Sequence, residues 1–189
     1  MLLGEFDPNA VVMWINKDYC KNGYAYMTSY NSKKASLSLV TTDVDEKEID
    51  HYWESFLDTE NITCKIIEEF KLEHRAGYVY PLKIENILFA GNAAGGVDPF
   101  LGFGHFNAIT MGVSAARTIA RGKDYEKQVD SIIKRNTQML KLRKMFERLD
   151  NKGYDNLVGF LPLPGVKQIL YHSNINISKY GAFISKFVF

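Results

Sequence analysis

Residues 87–122 restrict what this chain can fold into more than any other stretch, because a short apolar run, a Gly-rich loop and an Ala-rich helix follow one another directly. Ile87, Leu88, Phe89 and Ala90 are apolar without alternation, follow the charged Lys83 and Glu85, and end at Gly91, which predicts a buried strand. Gly91, Gly95, Gly96, Gly102 and Gly104 then crowd around Pro99. That density permits positive φ and lets bare backbone lie against a flat or anionic group without Cβ obstruction. From His105 to Arg121 the spacing of Ala108, Gly112, Ala115, Ala116 and Ile119 predicts a helix with a nearly smooth buried face, closed by Gly122. The loop feeds straight into that helix, so first-turn N–H groups and the positive dipole end point back at whatever the loop holds.

A strand, turn and helix packed together without a ligand is the plainer reading, although one turn rarely needs so many glycines. Spacing excludes two phosphate motifs. No Gly-Lys-Ser/Thr follows the glycines, as a P-loop requires, and residues 102–107 lack the third glycine of a dinucleotide fingerprint.

Taken in order, Gly91-Asn92-Ala93-Ala94-Gly95, Val97-Asp98-Pro99, Gly102-Phe103-Gly104 and the helix with Ala108, Gly112, Ala115 and Ala116 resemble the second flavin motif of geranylgeranyl reductase-type FAD-dependent oxidoreductases. These belong to the wider p-hydroxybenzoate hydroxylase-like flavoproteins. The resemblance implies FAD as cofactor, contacted by Gly91, Asn92, Ala93, Gly95, Asp98, Pro99, Gly102, Phe103, Gly104, His105 and Phe106. Asn92 would meet the ribityl chain, and residues 102–106 would lie near the pyrimidine edge. Two departures matter. Asn92 stands where the family has Asp, which turns a charge-assisted hydrogen bond into a neutral one of roughly half the strength. Phe103 and His105 replace Glu and Ile, which makes His105 either a candidate proton donor or a polar filler.

Upstream, residues 10–16, 23–30 and 35–42 read as three strands joined by short polar turns, hence an antiparallel meander. Ala35, Leu37 and Leu39 alternate with Ser36 and Ser38, so one side of this sheet is packed. The middle strand places Tyr24, Tyr26, Thr28 and Tyr30 on one face, an aromatic surface suited either to an extended apolar ligand or to structural packing. Gly23-Tyr24-Ala25-Tyr26 resembles the start of the Gly-Tyr-x-Trp-x-Phe-Pro segment on the substrate sheet of the same reductases; Tyr26, Thr28 and Ser29 depart from it, which leaves specificity open. Asp45 and Glu48 form a capping pattern before Ile49, Tyr52, Trp53, Phe56 and Leu57, a helix expected to cover the sheet. Residues 61–70 fit strand or helix, and residues 77–81 read as a strand end.

Residues 124–149 predict a long helix with Val129, Ile132, Ile133, Met139, Leu140, Phe146 and Leu149 inward, and Lys134, Arg135, Lys141, Arg143, Lys144 and Arg148 mostly outward. Its basic face suits solvent or anionic lipid headgroups. A short helix begins near Gly153, is broken by residues 162–165, and apolar segments follow at 166–171 and 175–189.

With 46% apolar residues in 189, the chain can bury an ordinary globular core, and 23 basic against 22 acidic residues give no general attraction to nucleic acid. There is no zinc-type cluster, secretory signal or apolar run of about 18 residues, so a cytoplasmic protein, with peripheral membrane contact open, is the default. Cys20 and Cys64 are expected to be thiols. The expected fold is α/β with α+β character: a substrate-type antiparallel sheet with its helix over 1–83, a flavin-contacting strand–loop–helix over 84–122, and a helical region over 123–189. The GxGxxG nucleotide domain that begins the family's members is absent, which implies a fragment, a shortened product or one subunit of a split enzyme whose other half is a separate chain. The resemblance implies reduction of carbon–carbon double bonds in prenyl or other lipid substrates by the complete enzyme. A related monooxygenase or halogenase, or a non-catalytic module binding lipid or protein, is the alternative. Apolar surface where a first domain would dock predicts self-association.

Overall fold

The computed structural model describes residues 1–77, 79–160, 162–163 and 165. The expected apolar segments at 166–171 and 175–189 lie outside them. The fold is mixed α/β, with an antiparallel sheet and four α-helices among the described residues. Two compact units form among the described residues: Met1–Leu72 together with those from Glu147 onward make the first, and Glu73–Phe146 makes the second. The expected boundaries at 83 and 122 do not coincide with this division, which puts residues 73–83 and the long helix with the Gly-rich stretch. None of the helices is long and apolar enough to cross a membrane, among the described residues.

In the first unit β1 (Leu2–Leu3), β2 (Val11–Trp14), β3 (Tyr24–Asn31), β4 (Lys34–Val40) and β5 (Lys65–Ile66) build one sheet in the order β2-β3-β4-β1-β5. The expected meander is therefore present, and the ambiguous stretch after residue 60 contributes a two-residue edge strand. Register pairs Trp14 with Ala25, Ala25 with Leu39 and Met27 with Leu37, so these side chains share one face. Helix α1 (Glu46–Thr59) packs on that face through Phe56, Trp53 and Leu57, against Ala25, Leu37, Leu39, Tyr19 and Cys20. Phe56 is fully buried, with the rings of Tyr19 and Trp14 centred 5.1 and 5.4 Å away. The capping box forms as read: Asp45 Oδ1 accepts from Lys47 and Glu48 N–H at 2.8 Å, and the Glu48 side chain accepts from Asp45 N–H. Gly23 is a steric necessity, since a Cβ there would sit 1.8 Å from the Val40 carbonyl oxygen. Both cysteines are free thiols.

Helix α4 (Asn151–Phe160) belongs to the same unit. Asn151 Oδ1 accepts from Lys17 N–H at 2.8 Å, its Nδ2 donates to Asn16 Oδ1, and Lys17 Nζ donates to the Glu147 carbonyl at 2.6 Å. Three polar side chains thus fasten the returning chain to the β2–β3 turn.

The second unit contains a minimal hairpin, β6 (Lys83–Ile84) with β7 (Ile87–Leu88), then a 3₁₀ turn Gly91–Ala94, helix α2 (His105–Arg121) and helix α3 (Tyr125–Phe146). The buried strand expected at 87–90 is not there: β7 is two residues long and Ile87 is 60% exposed. An apolar run carries no information about what covers it. Residues 77 and 79–81 form no strand either. The core of this unit is Leu82, Ala94, Met111, Tyr125, Val129 and Ile132.

Candidate functional site

The Gly-rich loop is built from inside outward. Gly91, at φ +61°, opens the 3₁₀ turn, and Gly95, at φ +66°, closes it. Gly96 N–H donates to the Gly91 carbonyl at 2.8 Å, and a Cβ at Gly96 would meet that carbonyl oxygen at 2.7 Å and Met111 Sδ at 2.8 Å. Asp98 organises the next turn. Its Oδ1 accepts from Phe100 and Leu101 N–H at 2.8 and 2.9 Å, its N–H donates to the Phe103 carbonyl at 2.7 Å, and its carbonyl accepts from Gly102 N–H. Gly104 packs so tightly on Val97 that a Cβ would lie 2.9 Å from Val97 Cγ2, and it caps α2 with no side-chain hydrogen bond. Gly104 thus offers no side-chain acceptor to the first-turn N–H groups of α2, at the positive end of its dipole.

The loop's carbonyls are taken up from the opposite side by side chains. Asn107 Nδ2 donates to Gly96 O at 2.8 Å. Helix α3 supplies the rest: Tyr125 hydroxyl to Phe89 O, Asn136 Nδ2 to Gly95 O at 2.7 Å and Val97 O at 3.1 Å, and Arg143 Nη1 to Phe100 O at 3.2 Å. Burial pushes the Tyr125 phenol above its ordinary pKa, in the direction that favours the protonated donor. Arg143, one of a basic set expected mostly outward, is buried at 8% exposure and is one of these anchors. Asn136 and Tyr125 were not legible as site residues. The available signal was positional: Asn136 falls on the inward row with Val129 and Ile132, where a polar side chain requires a partner.

The buried face of α2 also differs from expectation. Met111 and Ser114 are buried, whereas Ala108, Gly112, Ala116 and Ile119 are exposed and Ala115 is half-buried. Phe103 and Phe106 are exposed beside them, and so is His105. α3 covers one line of α2, and the smooth stripe lies next to that line.

Asn92 and Ala93 are exposed and line an open cavity of about 520 Å³ with Arg75, Ala76, Gly77 and Val79, a size in the ligand-pocket range of roughly 300–1,000 Å³. Arg75 is ion-paired with Glu73 at 2.9 Å, both largely exposed.

In the first unit Tyr26, Thr28, Ser36 and Ser38 occupy the sheet face away from α1, by their register with Met13 and Val11, which are 47% and 70% exposed. Tyr24 is buried, its ring centred 6.0 Å from that of Tyr26. A bulge between Ser29 and Asn31 interrupts the ladder at Tyr30, which is 57% exposed, so strict alternation does not carry through to it.

No family model matches the chain. Among solved structures it is similar to a geranylgeranyl bacteriochlorophyll reductase-like protein of Thermoplasma acidophilum, with a TM-score of 0.73 at 17% sequence identity. The match spans 94% of this chain and 51% of that one. The chain thus has the fold of about half of that protein.

Proposed function

We propose that this chain is the flavin-ring and substrate half of an FAD-dependent oxidoreductase that reduces carbon–carbon double bonds of prenyl or other apolar lipid substrates. The observation that carries the reading is the Gly-rich loop, held from behind through its carbonyls and leading into the uncapped N-terminus of α2. Such a loop offers donors to an acceptor-rich edge, as the pyrimidine edge of a flavin is. The residues fit the group: Gly102 faces open space and Asn92 lines an open cavity, while Gly96 and Gly104 let the loop pack closely on Gly91, Met111 and Val97. In this reading Gly91, Asn92, Ala93 and Gly95 receive the ribityl side, with Asn92 bonding a hydroxyl. Gly102, Phe103, Gly104, His105 and Phe106 receive the ring, while Asp98 and Pro99 fix the turn between them. Bound FAD would supply hydride transfer; the protein supplies position, donor hydrogen bonds and exclusion of water. In the first unit, Tyr26 and Thr28 on the sheet face away from α1 are the proposed contacts for an apolar substrate, with Tyr24 buried behind Tyr26 and Tyr30 set apart by the bulge; in the second unit, His105, next to the helix N-terminus, is the side chain proposed to hold the proton.

The exposed apolar stripe on α2, with Phe106 87% and Ile119 80% exposed, favours a covering layer. On this reading it is a nucleotide-binding half that holds the adenylate end of FAD. The same stripe favours a second reading, a non-catalytic module that docks protein or lipid. The visible spectrum of the purified chain after loading with FAD and gel filtration separates them, performed alone and with a candidate nucleotide-binding half. Retained yellow flavin in either case supports the oxidoreductase; a colourless protein in both supports the module.

A further inference from the structure

We infer that Asn136 is a positioning residue for the loop, the central member of an α3 rail that fixes which way the loop's peptide groups face. Tyr125, Asn136 and Arg143 project from one buried side of α3 and donate to carbonyls of Phe89, Gly95, Val97 and Phe100, which spans both turns of the loop. Asn136 reaches two carbonyls on either side of Gly96, so its amide locks a residue whose neighbours leave no room for a Cβ. Both partners are acceptors, which requires the nitrogen of the amide to face them.

Stability alone does not explain an Asn here. It is 7% exposed on a helix side otherwise lined by Val129, Ile132 and Ile133, and its Oδ1 has no hydrogen-bond donor among the described residues. The unbonded Oδ1 offsets part of what the two Nδ2 hydrogen bonds contribute, while an apolar residue would leave both carbonyls without their donor. What the amide gives in exchange is direction. With carbonyls of Gly95, Gly96 and Val97 turned toward the scaffold and the N–H groups of Gly95, Gly96, Asp98, Phe100, Leu101 and Gly102 bonded within the loop, the donors left for a ligand edge made of acceptors are those that lead into the first turn of α2. The ligand identity rests on the flavin reading; the orientation of the loop does not.

The test compares wild type with Asn136→Leu, Asn136→Gln and, as an exposed control on the same helix, Lys134→Gln, in the full chain and with a nucleotide-binding half wherever wild type needs one to hold FAD. Amide hydrogen exchange of residues 95–104 and the FAD dissociation constant from flavin fluorescence are the readouts, alongside thermal melting. Asn136→Leu is expected to speed loop exchange at least tenfold while α1 stays protected, and to weaken FAD at least tenfold. Asn136→Gln, which keeps the donor, is expected to recover part of both, and Lys134→Gln to change neither. Loop exchange and affinity equal to wild type in Asn136→Leu would overturn the assignment. So would a loss of both that tracks melting alone and is not recovered by Gln. If wild type binds no flavin under any condition, the flavin reading fails, and the exchange comparison decides the role of Asn136 by itself.

Discussion

At Gly96 a Cβ would stand 2.7 Å from the Gly91 carbonyl oxygen and 2.8 Å from Met111 Sδ, so Gly96→Ala must displace either the loop backbone or a fully buried core side chain. The expected loss is about 1–3 kcal/mol, read from the denaturant midpoint. Gly102→Ala meets open space and bears only the strain of φ +74°, about 1 kcal/mol. Equal and negligible losses at the two positions would mean that the loop is not packed as described. A different property of single residues is visible in alkali. Burial raises the phenol pKa of Tyr125, and burial together with the Tyr19 hydrogen bond to Glu60 at 2.6 Å raises that of Tyr19. Above the ordinary phenol value of about 10, the unfolded chain releases these protons while the folded chain keeps them. The folded state then binds more protons, so stability is full below about pH 10 and falls as pH rises further. The denaturant midpoint should drop above that pH, and Tyr125→Phe should make the drop shallower.

Helix α1 shows what a sequence reveals about an element and α2 what it conceals. Asp45, Glu48 and the spacing of Tyr52, Trp53 and Phe56 are local signals, and both the cap and the packed face followed from them. Phe56→Ala should cost about 3–5 kcal/mol, because a ring seated among Trp14, Tyr19 and Trp53 leaves a cavity its neighbours cannot close. Urea denaturation would measure it. For α2 the periodicity correctly gave a helix ending at Gly122, in the left-handed conformation with its N–H on the Thr118 carbonyl. It could not say which stripe a neighbour covers, and Ala108, Gly112 and Ala116 proved exposed. The glycines of the loop were legible because positive φ and close approach demand that residue type. The α3 donors were not, since Asn136 and Gly95 are 41 positions apart and no local pattern links them. Gly112 tests the exposed stripe directly: no atom lies within 4 Å of a Cβ there. Gly112→Ala should therefore stabilise the isolated chain by about 0.5–1 kcal/mol through helix propensity. A loss of stability instead would place a packed neighbour on that face.

At the scale of the whole molecule, among the described residues the chain leaves the first unit after Leu72 and rejoins it at Glu147, so the helices of residues 73–146 must serve their own core. α3 is spent on that core and on the loop, which leaves α2 with Ile109, Val113 and Ile119 at 64%, 45% and 80% exposure, near Phe103 and Phe106. Single exposed apolar residues are ordinary in folded proteins; a contiguous stripe of them attracts another surface. In the absence of a covering layer the second surface at hand is another copy, so the isolated chain should self-associate and bind a hydrophobic dye. Ile109→Lys with Ile119→Lys should abolish both while leaving the melting temperature close to wild type, because neither side chain contributes to the core. Sedimentation velocity and dye fluorescence on the two proteins decide this. If the double variant still associates, the attraction arises on the uncovered sheet face around Val11 and Met13, and Met13→Lys would then be the variant that yields a monomer. If wild type is already monomeric and dye-free, the α2 stripe needs no covering partner, and the proposal that a nucleotide-binding half docks there loses its main support.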